Sequence, residues 1–314
     1  MKLLSQIYNL TIKVSPKVMR KLANTILMYI LPKPSKLIKP GPITMVGMLK
    51  ASSGLGQAAR LNLSALVEQG YKVKSFDVSN LFTESFLNIQ LPAQMSTKQK
   101  GGVIIIQNNP VHIPLILFLL GRKRLKNKKI IACCLWETES IPNHWIKPCN
   151  LVHEIWTASD FSAQAFKKKV RNIPVKVVPL PLRMPSDTSL NREHFGLPNS
   201  VIILNIADLG SGFNRKNIVG AIEAFRKISN KVENATMVLK LSGTKRFLKE
   251  KEEIDQLIFD LPNIVVIDKF LSVDEMQGLI NLSDIVVSLH RSEGFGLLMA
   301  EAMWHGKAIL ATPW

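Results

Sequence analysis

The sequence predicts an α/β protein with two doubly wound domains, each built on a parallel sheet covered by helices. Its short apolar runs are continuous rather than alternating, which is typical of strands that are buried on both faces. Stretches with helical spacing lie between these runs, so consecutive strands have room for crossover helices. A stretch rich in Pro and polar residues, 180–188, divides the series in two and indicates a domain boundary.

The predicted elements follow the chain in that order. The strands of the first series are 43–48, 72–78, 103–106, 130–135, 154–158 and 175–179. The strands of the second series are 201–206, 236–241, 263–267, 285–289 and 308–311. The predicted helices include 56–69, 160–169, 217–229, 273–281 and 297–305. We therefore predict an N-terminal extension over 1–40, a first domain over 41–184 and a second domain over 185–314. Open parallel sheets bind ligands beyond the carboxyl ends of their strands, so we expect a cleft between two domains that face each other.

The composition indicates a folded protein with acidic partners. The 314-residue chain is 46% apolar, which is enough to bury two cores. Lysine and arginine number 41 against 23 acidic residues, so the formal net charge is +18. This balance indicates anionic lipid or a phosphorylated substrate as partners. Nucleic acid is not predicted, because the sequence has no helix-turn-helix, zinc-finger or RNA-binding signature.

The cysteines and histidines do not indicate a disulfide framework or a metal site. Cys133, Cys134 and Cys149 form neither an even set nor a CxxC pair, so we expect buried thiols in a reducing cytoplasm. The six histidines are scattered without an HExxH pair. Neither a metal nor another cofactor is therefore predicted.

Two segments indicate proximity to a membrane. Residues 1–40 have the pattern of a basic amphipathic helix, with apolar side chains mostly four residues apart. These apolar positions are Leu3, Ile7, Val14, Val18, Leu22, Ile26 and Ile30. Such a helix either lies in a bilayer interface or packs on the protein's own surface, and the sequence leaves both open. The segment 118–129, in which apolar residues lead into a basic run, favours peripheral contact with an anionic membrane. No run reaches the ~18 apolar residues that a membrane span needs, so we expect a cytoplasmic protein that contacts the inner face of the membrane.

A glycine-rich turn follows the first predicted strand. Gly54 and Gly56 open a helix there, where backbone N–H groups can face an anion. Ala58 and Ala59 stand where the dinucleotide-binding fingerprint has a third glycine. The motif therefore indicates either an anion-binding loop or a simple tight turn.

Two cations follow the first strand of the second domain. Arg215 and Lys216 lie just before a predicted helix that begins at Asn217. Cations beside a helix N-terminus can neutralise a diphosphate. Two solvated surface charges are the alternative interpretation.

Two carboxylates, Glu293 and Glu301, lie in a mostly apolar segment of the second domain. The helix that carries Glu301 is apolar on nearly every side, so we expect it to be buried. A buried carboxylate costs several kcal/mol unless it is paired or hydrogen-bonded. Gly294 and Gly296 allow a tight bend between Glu293 and that helix. Along a helical path the two carboxylates are roughly 10–12 Å apart, about the reach of a sugar diphosphate and ribose.

The segment SEGFGLLMAEAMWHGKAILAT resembles the E-x7-E motif of retaining glycosyltransferases of family 4, also called group 1. The segments GLGQAARL, LWETESIP, EIWTASDFSAQAF and FNRKNIVGAIEAF resemble the same family in the same order, from about residue 43 to the end. The resemblance implies a GT-B fold, with two Rossmann-like domains that face a cleft. It also implies transfer of a sugar from a nucleoside diphosphate donor to a polysaccharide or lipid-linked glycan, with retention of the anomeric configuration.

The same resemblance implies roles for residues of the second domain. Glu301 would hydrogen-bond the ribose hydroxyls, and Glu293 would contact the transferred sugar. Lys216, with Arg215, would stabilise the charge that grows on the leaving diphosphate. The backbone N–H groups that would hold the distal phosphate are those of Phe295, Gly296 and Leu297.

In the first domain the resemblance implies that Gly54 and Gly56 line the cleft. The candidates on the acceptor side are Asn109, His112 and Glu137.

The sequence departs from the family in two places. Many relatives have an Arg about six residues before the Lys, where this chain has Gly210, so Arg215 would substitute for it. The family continues beyond AILATPW, so the resemblance predicts a second domain that is truncated at its C-terminus. The alternative prediction is a catalytically inactive relative that binds a nucleotide or a membrane surface.

Overall fold

The computed structural model describes residues 25–83, 86–97, 99, 101–182, 189–229, 231–232 and 234–313. The chain forms two compact units, Met1–Pro181 and Leu182–Trp314. The predicted boundary between 184 and 185 falls in the segment 183–188, outside the described residues. The predicted apolar positions from Leu3 to Leu22 also lie outside the described residues.

The first domain is a six-stranded parallel sheet with helical crossovers. Its strands are β1 (Ile43–Gly47), β2 (Val73–Asp77), β3 (Val103–Gln107), β4 (Lys129–Cys134), β5 (Glu154–Thr157) and β6 (Val175–Val177), in the order β2-β1-β3-β4-β5-β6. Residues 25–30 are helical, and the helices that follow are α1 (Gly54–Glu68), α2 (Ile113–Leu125), α3 (Ile146–Cys149) and α4 (Asp160–Lys167). The strands begin and end within two residues of their predicted bounds, because continuous apolar runs mark buried parallel strands well.

Helix α2 contains most of the segment 118–129. Its apolar half packs into the core of the first domain, where Leu120 and the preceding Leu117 are 1% and 2% exposed. Gly121 interrupts the helix with a φ of 71°, a conformation that favours glycine. Lys128, in the basic run, is fully buried, and its Nζ donates hydrogen bonds to the carbonyl oxygens of Gln99 and Gly101. Part of this segment is therefore structural.

The second domain is a five-stranded parallel sheet. Its strands are β7 (Val201–Asp208), β8 (Ala235–Ser242), β9 (Ile264–Ile267), β10 (Ile285–Ser288) and β11 (Ala308–Ala311), in the order β11-β10-β7-β8-β9. Its helices are α5 (Phe213–Lys216), α6 (Ile218–Ser229), α7 (Leu248–Ile258), α8 (Val273–Leu282) and α9 (Leu297–Trp304). Helix α8 begins with a capping box between Ser272 and Glu275, which satisfies two backbone donors of its first turn.

The prediction that the helix after Glu293 is buried on all sides is wrong. Met303 and Trp304 of α9 are 67% and 49% exposed, and Leu310 of the neighbouring strand β11 is 55% exposed. Strand β11 lies at the edge of the sheet, so the outer side of α9 has no neighbour among the described residues. An apolar helix sequence alone therefore overstated the burial of this helix.

The strand order of each sheet reverses at one point. In the first domain this point lies between β1 and β3, where Gly47 pairs with Gln107 at the carboxyl ends of the strands. In the second domain it lies between β7 and β10. Open α/β sheets bind ligands where the order reverses, so these two strand ends are where chemistry is expected. Within the described ranges, no helix is both long and apolar enough to cross a bilayer.

Candidate functional site

The loop after β1 in the first domain is held by its own backbone and by Arg60. Gly56 lies so close to this loop that an added Cβ would be 2.3 Å from the carbonyl oxygen of Ala51. Arg60 Nη1 donates hydrogen bonds to the carbonyl oxygens of Leu49 (3.0 Å) and Ala51 (2.6 Å). Burial lowers the pKa of the Arg60 guanidinium. The backbone at Gly56 therefore packs against the Ala51 carbonyl with no room for a side chain. At Gly54, by contrast, a Cβ would lie in open space.

The three first-domain candidates follow neighbouring strands. Asn109 and His112 follow β3, and Glu137 follows β4, which pairs with β3. The side chain of Asn109 accepts a hydrogen bond from the backbone N–H of Leu135 at 3.1 Å, so it links the two strand ends. The ring of His112 packs on Phe82 with centroids 4.3 Å apart.

Asn108 is a residue that the sequence interpretation missed. It is fully buried, and its Oδ1 is 2.7 Å from Nδ1 of His112. That oxygen can only accept, so Nδ1 of His112 carries the proton of this hydrogen bond. The pair of asparagines at the end of a buried strand, QNNP, was the available signal. Asn108 therefore fixes the orientation of the His112 ring.

In the second domain, the loops after β7 and β10 are joined by hydrogen bonds. Asn217 has a left-handed φ of 52°, and its Nδ2 donates to the carbonyl oxygen of Leu289 at 2.8 Å. The backbone N–H of Arg291 donates to the carbonyl oxygen of Arg215 at 2.8 Å. The predicted helix over 217–229 is confirmed to within one residue, since α6 begins at Ile218, and Asn217 separates it from the short helix α5. The left-handed turn places Arg215 and Lys216 on the short helix α5, beside the loop after β10.

These loops bring one carboxylate and two cations together. Lys216 Nζ lies 2.7 Å from Glu293 Oε2, and Arg215 Nη1 lies 3.5 Å from the same oxygen. Arg215 Nη1 also donates to the carbonyl oxygen of Ser292 at 3.0 Å. The backbone N–H of Gly294 donates to Glu293 Oε1 at 3.0 Å. Arg215 and Lys216 are thus not isolated surface charges.

The ionisation of this cluster follows from its contacts. Burial alone would raise the pKa of Glu293, but the charges of Lys216 and Arg215 and the Gly294 N–H outweigh it and lower that pKa. His290 is 2% exposed, with Nδ1 3.1 Å from Ser288 Oγ. Burial lowers the pKa of His290, the charge of Glu293 opposes this shift, and the charge of Lys216 adds to it. The cluster therefore holds a charged Glu293 beside two cations at neutral pH.

Helix α9 begins beside this cluster. Gly296 precedes it with a left-handed φ of 77°, so the backbone turns sharply between Glu293 and the first turn of α9. Leu297 is the first helical residue, and the free N–H groups of such a turn favour an anion. Residues 293–296 are not helical, so the separation calculated along a continuous helix does not apply. Glu301 is 8% exposed, which agrees with the expected burial of this carboxylate.

The three cysteines are buried and free, as the sequence predicts. Burial, aided by the charge of Glu154, raises the pKa of Cys133 to about 12. Burial also raises the pKa of Cys149 to about 12. These thiols are therefore protonated at neutral pH, and the Cys134 thiol donates a hydrogen bond to the carbonyl oxygen of Asn108 at 3.6 Å.

Residues 187–313, almost the whole second domain, match the family model described as glycosyl transferases group 1. The second domain is therefore similar to this family. The match includes Lys216, Glu293 and Glu301, and it supports the resemblance at the level of the family. Assignment to the retaining family 4 stays a prediction. Among curated proteins, none matches the chain.

Solved structures show the fold of most of the chain. HepE from Anabaena, in complex with UDP and glucose, has a TM-score of 0.63 at 16% identity, covering 87% of this chain and 80% of that one. A glycosyltransferase from Rickettsia africae has a TM-score of 0.61 at 16% identity, covering 88% and 80%. TarM has a TM-score of 0.51 at 16% identity, covering 67% of this chain and 40% of TarM, so the chain spans two fifths of that protein. These likenesses confirm the predicted GT-B fold.

Gly210 of the second domain lies close to two side chains. The Gly210 N–H donates to Asp208 Oδ1 at 2.9 Å. An added Cβ would be 3.1 Å from the Phe247 ring and 3.3 Å from that same Asp208 oxygen. A larger residue, such as the arginine that the resemblance places there, would require a small shift of the Phe247 or Asp208 side chain. Arg215 is the second cation that the described residues bring to Glu293.

Proposed function

We propose that the chain transfers a sugar from a nucleoside diphosphate donor to a hydroxyl of a polysaccharide or lipid-linked glycan, with retention and without a metal. The observation that carries the proposal is the contact of Lys216 and Arg215 with Glu293, 2.7 and 3.5 Å, where the strand order reverses. UDP and glucose in the HepE structure support a nucleotide-sugar donor of this class.

The two cations would hold the diphosphate of the donor. Glu293 pairs with both of them, so the phosphates of an incoming donor would compete with this carboxylate. The N–H groups of Phe295, Gly296 and Leu297 would bind the distal phosphate at the start of α9. Glu293, released from the cations, would then face the sugar hydroxyls, while Glu301 would bind the ribose.

The chemistry follows from that placement. The bond between the anomeric carbon and the distal phosphate oxygen breaks, and the acceptor oxygen bonds to the same face of that carbon. The acceptor proton passes to the departing phosphate oxygen. Negative charge grows on that oxygen in the transition state, so a fixed Lys216 stabilises the transition state more than the ground state.

The test is calorimetric titration with UDP-, GDP- and ADP-sugars, followed by a transfer assay in which NMR assigns the anomeric configuration. We expect one donor to bind, and Glu293→Gln to lower transfer at least tenfold. Glu252→Gln, an exposed carboxylate of α7, is the matched control and should leave transfer unchanged. A chelator should have no effect on transfer.

The outcomes separate the two interpretations. Unchanged transfer by Glu293→Gln would refute the site assignment, and an inverted product would refute retention. Donor binding without any turnover would favour the catalytically inactive alternative.

A further inference from the structure

The net positive charge of the chain belongs to one domain. Residues 1–181 contain 26 lysines and arginines and seven acidic residues, whereas 182–314 contain 15 and 16. The second domain, which carries the charge cluster at Glu293, is close to neutral. The donor site therefore does not account for the excess of positive charge on the first domain.

Part of that charge lies on a segment with exposed apolar side chains. Residues 25–30 are helical, and Leu27 packs inward against Leu115 of α2. Ile26, Tyr29 and Ile30, at helical spacing on the opposite face, are 54%, 84% and 47% exposed. This face is apolar and has no covering among the described residues.

The apolar exposure continues beyond the helix, where it alternates with lysines. Leu37 and Ile38 are 59% and 44% exposed. The lysines of this stretch are Lys33, Lys36 and Lys39, all exposed. Neither the segment 25–41 nor the segment 111–129 contains an acidic residue.

Hydrogen bonds hold this segment on the first domain beside the basic run that follows α2. The backbone N–H of Lys39 donates to the carbonyl oxygen of Asn127 at 3.0 Å, next to the exposed Lys126. His153 Nδ1 accepts from the N–H of Ile130 at 2.9 Å, so its Nε2 carries the proton that it donates to the carbonyl oxygen of Ser35 at 2.9 Å. The exposed side chains therefore belong to an anchored surface.

We propose that residues 26–39 of the first domain, with the exposed Arg122, Lys123 and Lys126, form a docking surface for an anionic lipid bilayer. Apolar side chains can enter the interface of a bilayer while lysines pair with acidic headgroups, and peripheral membrane binding combines these two contributions. A nucleic-acid surface explains the lysines but leaves the exposed aliphatic side chains without a role, because protein–DNA interfaces are polar. This docking surface does not depend on sugar transfer.

The test is co-sedimentation of the full chain with phosphatidylcholine vesicles, with and without phosphatidylglycerol. We expect binding only to the anionic vesicles and weaker binding as salt rises. Lys33→Glu/Lys36→Glu/Lys39→Glu should lower the partition coefficient about a hundredfold, since each lysine near an anionic surface contributes roughly fivefold. The matched control is Lys231→Glu/Lys249→Glu/Lys269→Glu, three exposed lysines of the second domain.

A second pair of variants tests the apolar contribution at constant charge. Tyr29→Ser/Leu37→Ser should lower the partition coefficient roughly tenfold. Leu248→Ser/Phe259→Ser, exposed by 62% and 92% on the second domain, should leave it unchanged. Circular dichroism checks that each variant is folded. If the Lys33→Glu/Lys36→Glu/Lys39→Glu variant does not fold, Lys→Gln at these three positions replaces it.

Four results would overturn the proposal. Equal binding to neutral and anionic vesicles would show that charge does not contribute to binding. Equal losses in the control variants would show that binding is not located at residues 26–39. Tighter binding to a DNA duplex than to anionic vesicles at the same salt, lost in the lysine variant, would assign the surface to nucleic acid. A change of sedimentation coefficient in the Tyr29→Ser/Leu37→Ser variant without vesicles would assign it to self-association.

Discussion

The two domains share a parallel-sheet architecture but differ in how they use charge. In the second domain, acids and bases nearly balance, and two cations meet at one carboxylate where the strand order reverses. In the first domain, bases outnumber acids almost four to one, and the end of β3 carries the uncharged amides of Asn108 and Asn109. The comparison shows that total charge and site charge are separate properties. A concentrated pair of cations suits one small anion, whereas dispersed cations suit an extended anionic surface.

The largest effects should come from core substitutions, each of which should destabilise only the domain that contains it. Phe166 of the first domain and Leu239 of the second are completely buried. Phe166→Ala should destabilise the first domain by about 3–5 kcal/mol and Leu239→Ala the second by about 2–5 kcal/mol, because each leaves a cavity. Urea unfolding followed by hydrogen exchange should assign each loss to its own domain. Equal loss of protection in both domains for either variant would show that they unfold as one unit.

The charge cluster should give the next largest effect. Lys216→Ala should lower kcat by about 10²–10³-fold, since it removes a fixed cation from the leaving group. Lys249→Ala, an exposed lysine of α7, is the matched control. Steady-state transfer assays decide the outcome, and similar losses in both variants would mean that general charge, instead of the cation at Glu293, governs the reaction.

A smaller effect should come from the loop after β1. Gly56→Ala forces a Cβ against the carbonyl oxygen of Ala51, so the first domain should lose about 1–3 kcal/mol of stability. Gly54→Ala faces open space and is the matched control. Thermal unfolding measures both, and a tolerated Gly56→Ala would contradict the close backbone approach.

The smallest effect should be a loss of stability at acidic pH that occurs in the first domain and depends on Glu154. Burial would raise the pKa of Glu154, but hydrogen bonds from Lys129, Trp156 and Lys176 lower it to about 2. A carboxylate with a lowered pKa stabilises the fold above its unfolded pKa of about 4.3, and this stability is lost as pH falls toward 2. Because Lys176 is 60% exposed, we expect a loss of only about 1–2 kcal/mol.

Urea titrations at pH 6 and pH 3 test this dependence. Glu154→Gln should remove the acid-dependent loss from the first domain and leave the second domain unchanged. Persistence of the full loss in this variant would show that other carboxylates are responsible.

The sequence by itself determined the strands, because their apolar runs and the turns between them are local patterns. It also determined the resemblance of the second domain to the glycosyl transferases group 1, through the segment around Glu293 and Glu301, and the burial of the cysteines. The sequence-based predictions failed where burial was inferred from a local apolar pattern alone. The apolar sequence of α9 suggested complete burial, but the position of β11 at the sheet edge leaves Trp304 exposed.

Only the tertiary structure decided which distant residues meet. Lys216 and Glu293 are 77 positions apart, and they touch because β7 and β10 are neighbours at the point where the strand order reverses. No local spacing encodes that pairing, which depends on how crossover helices place later strands beside earlier ones. The same reason explains why Asn108 was missed and why Lys128, which looks like a surface charge in the sequence, is a buried donor to two carbonyl oxygens. Local patterns specify the elements, and the packing of those elements specifies the site.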